Sequence, residues 1–67
     1  PEQPEIVETE DFYWRVKLPN GRFLERNEGI VEDRTKFNTL FIATHMAWEW
    51  YCMELEKNWK PKVTRQQ

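Results

Sequence analysis

Apolar and polar positions alternate strictly over residues 12–18. Phe12, Trp14, Val16 and Leu18 point one way, and Tyr13, Arg15 and Lys17 the other. Period two with aromatic and branched residues predicts a strand that buries one side. The stretch LPNGR then supplies a turn. Pro19 suits the first central position of a type I turn and Asn20 the second. Gly21 suits the left-handed position that closes a three-residue loop with a bulge. This loop sets Leu18 opposite Arg22, Val16 opposite Leu24, Arg15 opposite Glu25 and Trp14 opposite Arg26. A two-residue loop would instead set Arg15 against Arg26, and like charges directly opposite are unfavourable. The bulged register is therefore expected, in a hairpin over 12–26. A second turn at Asn27–Gly29 leaves Ile30 and Val31 as a short third strand.

From about residue 36 the pattern becomes helical. Asp33 or Thr35 can accept first-turn amide hydrogens, Lys57 and Lys60 suit the negative helix end, and Pro61 disfavours helix at Lys60. The expected helix runs from about 36 to 58. It is apolar on two sides. Phe37, Leu40, Phe41, Ala47, Trp48, Tyr51 and Leu55 form one stripe, with the spacing of a buried face. Opposite lie Ile42, Met46, Trp50 and Met53, with Ala43 beside them. The expected fold is α+β: a two- or three-stranded antiparallel sheet packed on one long C-terminal helix. Residues 1–11 read as a flexible acidic arm, with at most an edge strand at Ile6–Thr9. Residues 12–60 form the domain and 61–67 a basic tail.

A single small sheet covers only one side of a helix. A helix of about 23 residues also spans about 34 Å, longer than strands of six or seven residues. The second ridge is thus left for the chain's own ends, a second copy or another protein. Large apolar patches mark interaction surfaces, Trp is enriched at binding hot spots, and Met suits adaptable ones. Ile42, Met46, Trp50 and Met53 are the expected protein interface, in a homodimer or with a larger partner.

Composition narrows the alternatives. At 67 residues the chain is one domain with a modest core. Cys52 is its only cysteine and His45 its only histidine, so an internal disulfide is excluded, and a reducing cytoplasm is the simplest setting. The chain begins at Pro1 rather than Met, as a processed product or an excised fragment would. His45, Glu49 and Cys52 stand at i, i+4 and i+7, but three ligands along one helix rarely close around an ion. No metal and no cofactor are expected. Serine is absent and the only glycines are Gly21 and Gly29, so neither a serine nucleophile nor a glycine-rich phosphate loop is present. An enzyme acting on a small-molecule substrate is not expected, nor is a membrane span.

The net charge of −2 conceals blocks of one sign. Basic and aromatic residues on the outer face of the hairpin, Tyr13, Arg15, Lys17 and Arg22, suit nucleic acid, where cations meet phosphates and rings stack on bases. The plainer reading is a solvated strand face with an Arg15–Glu25 pair setting register.

Overall fold

The computed structural model describes residues 2–27, 32–51 and 59–66. The architecture is α+β: strands β1 (Glu5–Glu8), β2 (Trp14–Lys17) and β3 (Lys62–Thr64) form a sheet packed against helix α1 (Leu40–Tyr51). Strand order is β2-β1-β3. β1 runs antiparallel to β2, with Ile6 opposite Val16 and Glu8 opposite Trp14. It runs parallel to β3, with Ile6 opposite Val63.

This corrects the expected sheet in three respects. It is mixed rather than antiparallel. The segment expected as a flexible arm holds the central strand, and the expected tail holds an edge strand. The reason is reach across the chain: β1 has only Ile6 and Val7 as branched apolar residues, and its partners supply the rest of the apolar surface. Ile6 is fully buried between Val16 and Val63. The ends are also tied by side chains. Trp59 Nε1 donates to Gln3 Oε1 at 2.9 Å, Thr64 Oγ1 to Glu5 Oε2 at 2.6 Å, and the Gln66 N–H to Glu8 Oε1 at 2.9 Å. The Tyr51 and Trp59 rings pack with centroids 4.6 Å apart.

The loop at 19–21 forms in the bulged register. Gly21 N–H donates to Leu18 O, Leu18 N–H to Arg22 O and Leu24 N–H to Val16 O, and Gly21 has φ +88°. The hairpin over 12–26 nevertheless stops at Leu24. Trp14 pairs with Phe37 in place of Arg26, through two main-chain hydrogen bonds of 2.8 and 2.9 Å. Arg26 N–H turns instead to Arg34 O. The expected strand at 30–31 lies outside the described residues.

The connection from β1 to β2 repeats the same loop. Phe12 N–H donates to Thr9 O and Thr9 N–H to Tyr13 O. Here the left-handed position is held by Phe12, at φ 65°. Phe12, expected to face inward, is exposed for that reason: the chain is turning where strict alternation suggested strand.

α1 starts later than expected. Thr39 caps it, accepting the Ile42 N–H on Oγ1 at 3.2 Å. Asp33, an expected cap, accepts the Thr35 N–H and hydroxyl instead, at 2.9 and 2.6 Å. The expected helical span 52–58 lies outside the described residues. The helix turns Ala43 and Ala47 to the sheet, both fully buried. At about 100° per residue this face lies roughly a quarter turn from the middle of the expected stripe. Phe41, expected inside, is 82% exposed. Small residues win the inner face because the opposing surface is already bulky. Trp14, Phe37 and Trp59 fill the space, and only alanines let the helix axis approach. Leu40, Trp48, Tyr51 and Met46 flank the alanines, half-buried against the core.

Candidate interaction groove

The turned helix places the second ridge at the side of the sheet rather than opposite it. Ile42, Met46 and Trp50 form one wall of an open groove of about 490 Å³. The other wall is Leu24–Asn27, the segment leaving the hairpin, with Phe37 and Asn38 beside it. Ile42 and Trp50 remain 41% and 44% exposed, while Met46 is half-buried and joins the core. Met53, the fourth expected interface residue, lies outside the described residues.

Leu24 and Phe37 carried no local signal for this site. They reach it through main-chain pairing with β2, Leu24 with Val16 and Phe37 with Trp14. Around the apolar surface stand Glu25, Arg26, Asn27, Asn38 and Glu49. Arg26 is committed inward: its Nη2 donates to the Lys36 carbonyl oxygen and its guanidinium lies 5.0 Å from the centre of the Phe37 ring. Glu25 and Glu49 are exposed. Glu49 lies 3.5 Å from His45 Nε2.

The expected basic face is rearranged. Arg15 is 8% exposed and does not pair with Glu25. Its Nε donates to Thr35 Oγ1 at 3.1 Å, Nη1 to Asp11 at 2.9 Å and to Thr9 Oγ1, and Nη2 to Asp33 at 2.7 Å. Hydrogen bonds from Arg15 and Thr9 hold the Asp11 carboxyl well below the usual carboxylate range. Those from Thr35 and Arg15 do the same for Asp33. This guanidinium joins the 9–11 turn and the 33–35 segment to β2. Tyr13 carries Lys36 over its ring, Nζ 4.3 Å from the centroid. Lys17 and Arg22 are exposed. The four residues are therefore not one free patch, since Arg15 is spent within the fold.

Among the described residues, no group of three or more His, Cys, Asp or Glu side chains is placed to hold a metal ion. No described helix is long and apolar enough to cross a membrane. Comparison with protein-family models, curated proteins and solved structures finds no match.

Proposed function

We propose that the protein is a small non-catalytic interaction module. It docks a protein, either a second copy of itself or a larger partner, through the groove walled by Ile42, Met46 and Trp50. Trp50 is the anchor, and Met53 continues the same ridge by spacing. A reducing, cytoplasmic setting suits the single Cys52. The observation that carries this reading is Trp50 itself: a tryptophan 44% exposed on the same helix ridge as Met46 and Ile42, on the rim of the groove they line. Partly covered aromatic anchors of this kind dominate binding energy, and contiguous apolar surface is otherwise disfavoured on a soluble chain.

The test is Trp50→Ala, read by light scattering over a concentration series and by capture of whatever partner the wild type retains. More than half of Trp50 is covered, so truncation should itself cost up to about 3 kcal/mol of stability, and assembly is compared under conditions where circular dichroism shows the variant folded. Self-association or partner binding should weaken by about 2 kcal/mol or more. A folded variant with unchanged assembly and unchanged partner binding would refute the proposal.

A further inference from the structure

We infer that the groove takes an extended peptide segment, added as a strand along Leu24–Asn27, with apolar side chains at alternate positions and Lys or Arg between them. This inference rests on the docking reading above and names the partner's chemistry. The first observation is the direction of the main chain. Leu24 N–H donates to Val16 O at 2.8 Å and Arg26 N–H to Arg34 O at 2.9 Å. Both donors point to one side. Successive N–H and C=O groups of an extended chain alternate sides, so those of Glu25 face the other edge. Among the described residues, the Glu25 N–H has no main-chain acceptor.

Glu25 lines the groove, with α1 as the facing wall. Main-chain groups without partners among the described residues, beside a helix, are what strand addition can use: main-chain hydrogen bonds supply affinity, and alternate side chains enter the apolar surface. Here that surface is Ile42, Met46 and Trp50. The second observation is charge. Glu25 and Glu49 stand exposed on opposite walls. The rim's cation, Arg26, is directed to the Lys36 carbonyl and the Phe37 ring. Cationic side chains on the added strand complement this rim, whereas acidic ones meet repulsion.

The test uses the full chain, labelled with nitrogen-15, and two capped fluorescent hexapeptides, Val-Lys-Val-Lys-Val-Lys and Val-Glu-Val-Glu-Val-Glu. Anisotropy should show the Val–Lys peptide binding at least about tenfold more tightly, with the Glu25 amide resonance shifted on binding. The exposed double variant Glu25→Lys, Glu49→Lys should erase that preference. Equal binding of both peptides, no binding, or binding that leaves the Glu25 amide unmoved would overturn strand addition. If Trp50→Ala still weakens self-association or partner binding in that event, the groove is a docking site for a folded surface and the function proposal stands. If Trp50→Ala is silent as well, both fall.

Discussion

Phe37 and Phe41 stand four residues apart and share one apolar stripe by spacing, yet the same substitution should affect them very differently. Phe37 is 2% exposed and packs with Ile6, Trp14 and Val16 in the core. Truncating a buried phenylalanine to alanine costs about 3–5 kcal/mol, from lost transfer energy and the cavity left behind. The variant also loses the ring under Arg26. Phe41 is 82% exposed. Less than a fifth of a side chain of roughly 200 Å² is covered, about 40 Å², which at about 25 cal/mol per Å² is about 1 kcal/mol. Alanine's better helix propensity returns about half of that. Phe41→Ala should therefore cost about 0.5 kcal/mol. A domain of this size holds roughly 3–10 kcal/mol in all, so Phe37→Ala removes much or all of its stability. Urea unfolding followed by tryptophan fluorescence reads the difference directly. With a slope of about 1 kcal/mol per molar, Phe41→Ala should move the midpoint by about 0.5 M. Phe37→Ala should move it by several molar or leave the chain unfolded in buffer. Equal losses at the two positions would mean that Phe41 faces the core, and the alanine-lined helix face described above would be wrong.

Two further outcomes follow from the loops and the buried arginine. Asp11 and Asp33 titrate below the usual range in the folded chain because their carboxylates are hydrogen-bonded. A depressed folded value means that their stabilisation is complete above the ordinary carboxylate range and is lost as pH falls towards the folded values. The urea midpoint should drop between about pH 5 and pH 2, and Asp11→Asn with Asp33→Asn should flatten that dependence; an unchanged slope would count against the Arg15 cluster. The matched loops give opposite signs for exchange at the left-handed position. Gly21→Ala should lower stability by about 1 kcal/mol and Phe12→Gly should raise it by up to about as much, shifts of about 4–8 °C in melting temperature. A Phe12→Gly chain that melts lower than wild type would show that the exposed ring contributes more than the backbone strain.

Short-range chemistry was readable along the chain. The alternation of Trp14, Arg15 and Val16 specifies β2. Pro19, Asn20 and Gly21 specify the bulged loop and the pairing of Val16 with Leu24. The 3.6-residue spacing after Thr39 specifies a helix, and its surplus of apolar residues sets Ile42, Met46 and Trp50 on a second ridge apart from the buried face. Each depends on dihedral preferences or periodicity within a few residues. The second loop carries no such signal, because Phe12 holds the position where glycine would have announced it. Packing between distant segments decided the rest. β1 is central because β3 arrives parallel from the far end of the chain, a pairing that two apolar residues in an acidic stretch do not advertise. Arg15 is enclosed because Asp11 and Asp33 converge on it from two turns. α1 presents Ala43 and Ala47 to the sheet because Trp14, Phe37 and Trp59 already occupy the volume. Periodicity states that a helix has an apolar side; the volume left by the opposing side chains determines which side is turned inward, and therefore which residues remain to line the groove.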